Sequence, residues 1–259
     1  MIVHNDKTFA IYCIVDNDIP QLNSLPQIYS IYKLSDNHNG SLDFLKEYMH
    51  DLSAQYFIYT KNIKSDYVGF CQPDGIFEFD IDNFINENGI CYGHHTNATS
   101  WTDFHKYIFL SFLKKDLHEY ISRNYKTNSR IYKAFITKAS ENVNYYIGRR
   151  YICKWEFFTE IMGFVVGFIN YINAEYKLNW DEQEWHYFIL DNFIDKKLTK
   201  GIGQNETYWF NNGGKALWCI FPLMFEIMIG VYFGHLVNEF NLPQYEIKLE
   251  SNPDESVKS

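Results

Sequence analysis

A short apolar strand that ends in a sharp polar turn lies near residue 70, directly after an amphipathic helix. Residues 66–71, Asp-Tyr-Val-Gly-Phe-Cys, form a run of β-forming side chains, in which we expect Val68 and Phe70 to be buried on one side. The next four residues, Gln-Pro-Asp-Gly at 72–75, are typical of a turn, because proline presets φ and glycine accepts a positive φ. Open α/β sheets bind ligands at the carboxyl ends of their strands. The sequence therefore predicts a site at this turn.

The remaining pattern alternates between strands and helices and predicts an α/β fold. We predict further strands at 8–15, 28–32, 89–93 and 145–153, and helices at 42–59, 101–125, 130–140, 157–176, 181–200 and 215–240. We predict a single domain over 1–249, with a sheet region in 1–100, a mainly helical region in 101–249 and a polar tail at 250–259.

Two predicted helices are hydrophobic almost all round, at 161–172 and 217–236. Glu160 and Glu226 interrupt them, and the uninterrupted apolar runs are too short to span a membrane. We expect core helices or helices that lie on a membrane surface.

Charge and cysteine content exclude some classes of protein. The net charge of −9 argues against a nucleic-acid-binding protein, which needs cations to neutralise phosphates. The five cysteines form no Cys-x-x-Cys pair, which favours a reducing compartment without a disulfide framework. The polar residues 5–7 interrupt any hydrophobic run of a signal peptide, so we expect a cytoplasmic protein.

Three groups of charged residues are candidates for a site. Arg149 and Arg150 form the best basic pair for an anionic ligand, although a surface charge pair explains them equally well. Glu226 lies in an apolar helix, where a carboxylate is costly unless it is paired or functional. Asp80 and Asp82 form an Asp-x-Asp sequence, which we interpret as a surface strand or a helix cap rather than a metal site.

The central segment resembles a family of bacterial glycosyltransferase-like proteins from capsule, exopolysaccharide and O-antigen loci. Those proteins carry a helix ending in Trp-Lys-Asn, a strand Asp-Tyr-Ile-Gly-Leu-Cys and then His-Tyr-Arg-Arg-Tyr-Phe. The matching residues here are 60–62, 66–71 and 72–77, and residues 51–53, Asp-Leu-Ser, resemble the family's Glu-Leu-Thr. Residues 150–154 and 225–228 match two later segments more loosely. The matches keep their order across residues 8–236.

The resemblance implies a GT-A-like sheet and the transfer of a sugar from a nucleotide-sugar donor. The acceptor would be a surface polysaccharide or a lipid-linked glycan, reached by a cytoplasmic protein in peripheral contact with the inner membrane. The implied catalytic residues are Asp74 and Glu226, and the implied substrate-binding residues are Lys61, Asp66, Gln72, Arg149 and Arg150.

Asp74 occupies the place of the metal-binding turn of GT-A enzymes, where Mg²⁺ or Mn²⁺ stabilises the departing diphosphate. Only one carboxylate is present, so we expect weak metal binding without the donor's phosphates. A residue that caps its own turn is the alternative explanation of Asp74.

The chain departs from the family at the turn. His-Tyr-Arg-Arg is replaced by residues 72–75, so two arginines that could hold a diphosphate are absent, and Ile227 replaces a later arginine. The alternative function is therefore a non-catalytic glycan-assembly or glycan-binding protein that retains the fold. An enzyme requires Asp74, Arg150 and Glu226 to converge on one pocket.

Overall fold

The computed structural model describes residues 1–15, 29–36, 38–42, 49, 51–72, 81–86, 91–102, 109–189 and 220–241. These residues form an α/β fold, a mixed sheet flanked by helices with a mainly helical second half, which confirms the predicted class. The strands are β1 Ile2–His4, β2 Lys7–Val15, β3 Tyr29–Lys33, β4 Tyr67–Cys71, β5 Cys91–Thr99 and β6 Val143–Lys154. The longer helices are α1 Asp51–Thr60, α2 Ile81–Asn86, α3 Phe109–Asn124, α4 Trp155–Glu175, α5 Glu182–Ile189 and α6 Ile220–Phe240.

Two irregular helical segments complete the described elements. A 3₁₀ turn covers Leu34–Asp36, and a short α-helical turn at Arg130–Tyr132 continues as a π-helix over Lys133–Thr137. Residues 130–140 were predicted to form an ordinary helix, so the π-helix is a feature that periodicity does not reveal.

The sheet has the strand order β1-β2-β4-β6-β5, and β3 also pairs with β2. Strands β2 and β4 are parallel, whereas β4 and β6 are antiparallel and pair Phe70 with Tyr151. Strand β4 therefore lies in the middle of the sheet. Because β6 comes from the second half of the chain, the sheet is not confined to residues 1–100.

Both faces of β4 are covered. Val68 and Phe70 are 0% exposed and pack in one core cluster with side chains of α1 and α4. Tyr67 and Cys71 point to the other face and pack in a second cluster around Phe84 of α2. The prediction that Val68 and Phe70 are buried on one side of a central strand is confirmed.

The two hydrophobic helices are core elements. In α6, every residue from 224 to 237 is buried except Glu226, which is half-buried. Among the described residues, α4 is the one helix whose length and hydropathy would suit a membrane span, and 61% of its apolar window is buried inside the protein. A core helix of a folded domain has this pattern, since its apolar side chains are covered by other parts of the chain.

Candidate functional site

Polar side chains from three elements meet at the carboxyl end of β4. Gln72 follows the last residue of β4, and its Nε2 donates a hydrogen bond of 2.5 Å to Oδ2 of Asp51, the first residue of α1. The chain reverses direction between α1 and β4, which brings the start of the helix beside the end of the strand. The Asp51 carboxylate is largely buried at 8% exposure. Two of the sequence segments that carry the family resemblance are thus in direct contact.

A second polar pair lies one helical turn further along α1. Tyr151 of β6 donates a hydrogen bond of 2.8 Å from Oη to Oε1 of Gln55. Both side chains are buried, and Tyr151 is level with Phe70 in the sheet. The pairing gives two buried polar groups the partners that burial requires. It also fixes α1 against β6.

Arg150 precedes Tyr151 in β6, and the alternation of side chains along a strand turns it to the face of Cys71, opposite to that of Tyr151. The register that pairs Phe70 with Tyr151 brings Arg150 level with Cys71, and its side chain is half-buried. The pKa of the Cys71 thiol is raised well above its usual range, mainly by a hydrogen bond to Cys13 and secondly by burial. The charge of Arg150 lowers this pKa and the charge of Asp51 raises it, so both charged groups lie near the end of β4. We call Asp51, Gln55, Gln72, Arg150 and Tyr151 the edge site.

Helix α6 brings Glu226 towards the same end of the sheet. The ring of Phe240 lies 5.9 Å from that of Phe157, near the amino end of β4, and the ring of Phe233 lies 4.9 Å from that of Tyr151. From its carboxyl end at Phe240 to its amino end, α6 therefore runs from the amino end of β4 towards the carboxyl end of β4. Glu226 precedes Phe233 by about two turns, roughly 10 Å, on the same side of the helix. Its partial exposure distinguishes it from the buried residues on either side.

Some of the predicted site residues are not placed by the structure. Asp74 lies outside the described residues, as does Asp80. Arg149 lies in β6, but only its backbone is described. Their predicted roles in donor, metal or substrate binding stay predictions.

Lys61 and Asp66 lie at the opposite end of β4 from Gln72. The backbone N–H and Oγ1 of Thr8 both donate to Oδ2 of Asp66, at 2.8 and 2.7 Å. These hydrogen bonds lower the pKa of Asp66, whose side chain is exposed. The Lys61 ammonium lies 5.9 Å from the centre of the Phe57 ring. The structure thus does not bring these two residues to the edge site, because β4 separates them from it.

Asp82 has a structural environment. It lies in the first turn of α2, and its Oδ1 accepts hydrogen bonds of 2.7 Å from Nε2 of His4 and from Nδ2 of Asn5. It therefore ties α2 to the β1–β2 turn from inside the helix, so it belongs neither to a surface strand nor to a helix cap. Within the described part of the chain, no group of three or more His, Cys, Asp or Glu side chains could hold a metal ion.

Gln55 and Tyr151 are site residues that sequence analysis missed. They are 96 residues apart, and neither stands in a polar pattern. Asp51 did stand in a segment that resembles the family, which was the one signal available for it.

No family model and no curated protein matches the sequence. Among solved structures, the chain is similar to the apo structure of the WbbM bifunctional glycosyltransferase, with a TM-score of 0.47 and 13% sequence identity. The aligned region covers 95% of this chain and 46% of the WbbM chain. The chain thus spans about half the length of that protein.

Proposed function

We propose that this protein is a glycosyltransferase that moves a sugar from a nucleotide-sugar donor to a surface polysaccharide or lipid-linked glycan. The observation that carries the proposal is the contact between Asp51 and Gln72 at the carboxyl end of β4, with the charge of Arg150 near the same strand end, where it acts on Cys71. Ligands bind at this position in open α/β sheets. The contact also joins two segments that resemble those of a glycosyltransferase-like family.

Arg150 provides the positive charge for the donor. A guanidinium binds phosphate oxygens in a planar, two-pronged geometry that suits a diphosphate. In this role Arg150 replaces the arginines that the turn at 72–75 lacks. Asp74, which follows Gln72 by two residues in the sequence, would hold Mg²⁺ or Mn²⁺ together with the donor's phosphates.

Asp51 and Gln72 recognise the sugar. A carboxylate accepts hydrogen bonds from hydroxyl groups, whereas an amide both donates and accepts. Their mutual hydrogen bond orients both groups before a ligand arrives, which lowers the entropy cost of binding. Glu226 approaches the same end of the sheet and serves as the base that accepts the proton of the acceptor hydroxyl.

The proposal is tested by titrating nucleoside diphosphates and their sugar conjugates calorimetrically, with and without Mn²⁺. Two variants remove one positive charge each from β6. Arg150→Met acts at the carboxyl end of β4, and Lys154→Met acts at its amino end, where Lys154 is level with Tyr67. We expect Arg150→Met to weaken diphosphate binding by about tenfold or more, as the loss of a charge-assisted hydrogen bond does. Lys154→Met should leave the binding within about twofold, because Lys154 lies at the opposite end of β4 from the edge site.

Two results would contradict the proposal. Equal losses in both variants would show that binding depends on overall charge and not on the edge site. Binding of glycans without any binding of nucleoside diphosphates would favour the alternative function, a non-catalytic glycan-binding protein.

A further inference from the structure

A cavity of about 370 Å³ lies at the other end of α6 from Glu226. It is enclosed by the last turns of α6 and by residues 130–138, and we call it the Arg130 cavity. Its polar lining consists of the cations Arg130, Lys133 and Lys138, the carboxylate of Glu239, and the side chains of Tyr232, His235 and Asn238. Asp51, Gln72 and Arg150 of the edge site do not line it, so the cavity is separate from the proposed donor site.

The backbone on one side of the cavity has an unusual form. Ser129 caps the short helical turn by accepting a hydrogen bond from the backbone N–H of Tyr132. The helix then widens to a π-helix, which is closed by a bond of 2.7 Å from the N–H of Lys138 to the carbonyl of Lys133. Single-turn π-helices are rare and are frequently found at functional sites. Both lysines at the ends of this segment line the cavity.

Arg130 is held rigidly in the wall. Its guanidinium lies 5.4 Å from the ring centres of both Phe157 and Phe240. It also forms ion pairs of 3.0 Å with Glu160 and 3.4 Å with Glu239. Tyr232 donates a hydrogen bond of 2.9 Å to the same Glu160 oxygen. Glu160 and Glu239 carry two negative charges against the single positive charge of Arg130, so the cationic groups left to face a ligand are the ammonium groups of the lysines.

His235 is one of two wall residues, with Arg130 at its Nε, that have a buried nitrogen without a hydrogen-bond partner among the described residues. It is only 8% exposed, and no hydrogen-bond partner for its Nε2 exists among the residues that the structure describes. Burial lowers the pKa of His235 to about 4, so the imidazole is neutral at pH 7 and offers one donor and one acceptor nitrogen. A buried polar atom without a partner lowers stability. A ligand hydroxyl at the cavity wall would provide the missing partner.

We propose that the Arg130 cavity binds a small hydroxylated anion, a monosaccharide that bears a carboxylate or a phosphate group. Lys133 forms no ion pair within the described part of the chain, and Lys138 shares its charge with Glu141 at 3.1 Å. These two ammonium groups attract the anionic group. His235 and Asn238 bind the hydroxyls.

Size limits the ligand to one sugar unit. Ligand pockets range from about 300 to 1,000 Å³, and this cavity is at the lower end of that range. A nucleotide-sugar would need more room, whereas a single acidic sugar fits. This inference does not depend on the proposed transferase activity, and the protein would bind such a ligand whether or not it transfers sugars.

The test uses the full chain and three probes: glucuronate, glucose 6-phosphate and glucose. Binding is measured by calorimetry in the original protein and in Lys133→Met, Ala134→Phe and Lys126→Met. The first variant removes a lining charge, the second fills the cavity, and the third removes an exposed charge outside it. We expect at least one anionic sugar to bind, with a dissociation constant raised about tenfold or more by the first two variants. Lys126→Met should bind as the original protein does.

The two anionic probes distinguish a carboxylate from a phosphate as the source of the negative charge. Binding of glucuronate assigns the site to sugar acids, and binding of glucose 6-phosphate assigns it to sugar phosphates. The inference is overturned if neither anion binds, if glucose binds as tightly as they do, or if Lys133→Met has no effect. Thermal unfolding of each variant checks that it folds. If Ala134→Phe does not fold, Lys133→Met still tests the inference.

Discussion

The edge site and the Arg130 cavity satisfy their polar groups in different ways. At the edge site, polar side chains pair with one another: the half-buried amide of Gln72 donates to the carboxylate of Asp51, and the buried hydroxyl of Tyr151 donates to the amide oxygen of Gln55. At the cavity, Arg130 forms ion pairs with two glutamates, but its Nε and the Nε2 of His235 are buried without a hydrogen-bond partner among the described residues. The first arrangement is complete before a ligand arrives, and the second is not.

The two arrangements would affect a bound ligand in different ways. Groups that are already paired orient a ligand without moving, which favours a reaction that needs fixed geometry. An unsatisfied group instead gains a partner when a ligand binds, which favours affinity. Helix α6 contributes to both regions, with Glu226 towards one end and His235 towards the other. Substitutions along this one helix can therefore separate the two functions.

The largest effect is expected from Glu226→Gln. If Glu226 is the base of the transfer reaction, its loss should lower the rate of transfer by about 100-fold or more. The free energy of unfolding should change by no more than about 1 kcal/mol, because the side chain is half-buried and the amide has the same shape. A transfer assay with denaturant unfolding measures both quantities.

Glu175→Gln is the matched control, since Glu175 is an exposed residue at the end of α4. It should leave the rate of transfer unchanged. A Glu226→Gln variant that transfers sugar at the normal rate would remove Glu226 from the proposed mechanism. Binding of acidic sugars in the Arg130 cavity should persist in both variants, which keeps the two regions distinct.

A smaller effect is expected from Gly69→Ala in β4. A Cβ at this position would lie 2.7 Å from Cγ1 of Ile152 and 3.0 Å from the carbonyl oxygen of Tyr151. Because backbone cannot yield as a flexible side chain does, we expect a loss of stability of about 1–3 kcal/mol. The urea midpoint should fall with an unchanged m value.

Gly163→Ala in α4 is the control for this prediction. Its Cβ would meet only the Tyr59 hydroxyl at 3.1 Å and the adjoining ring carbon at 3.9 Å. Alanine is a better helix former than glycine, which offsets that contact. If both variants have the same midpoint, the close pairing of β4 with β6 does not limit stability.

The sequence predicted the elements that local pattern determines. The apolar run at 66–71 predicted β4 and its buried faces, because the side chains of a strand that is covered on both faces are apolar on both sides. The apolar stretches around 161–172 and 217–236 gave the two core helices. Strand β1 was missed, although Asn5 and Asp6 have φ values of 47° and 58°, and these residue types favour such hairpin turns.

The sequence did not predict which side chains meet. Asp51 and Gln72 come together because α1 and β4 run in opposite directions, and Tyr151 reaches Gln55 through the register of β6. Register and helix packing depend on the whole fold. The contacts of Arg130 also depend on the whole fold. In the sequence Arg130 resembles any surface cation, whereas in the structure its guanidinium lies between the rings of Phe157 and Phe240. Asp74 stays a prediction.

The smallest effect concerns pH and His235. Burial is the main reason that its pKa is about 4 in the folded protein instead of 6.5, while Glu141 opposes and Lys138 reinforces this shift. Between these two values the unfolded chain binds a proton that the folded protein does not bind, so stability falls as the pH is lowered through this range. The loss begins below pH 6.5 and is complete below about pH 4.

In His235→Gln, which cannot titrate, this part of the pH dependence should disappear. His118, whose pKa is also lowered by burial, titrates in both proteins and cancels in the comparison. Urea unfolding at pH 7 and pH 5 measures the difference, and equal pH dependence in the two proteins would show that His235 is not held neutral in the wall of the cavity.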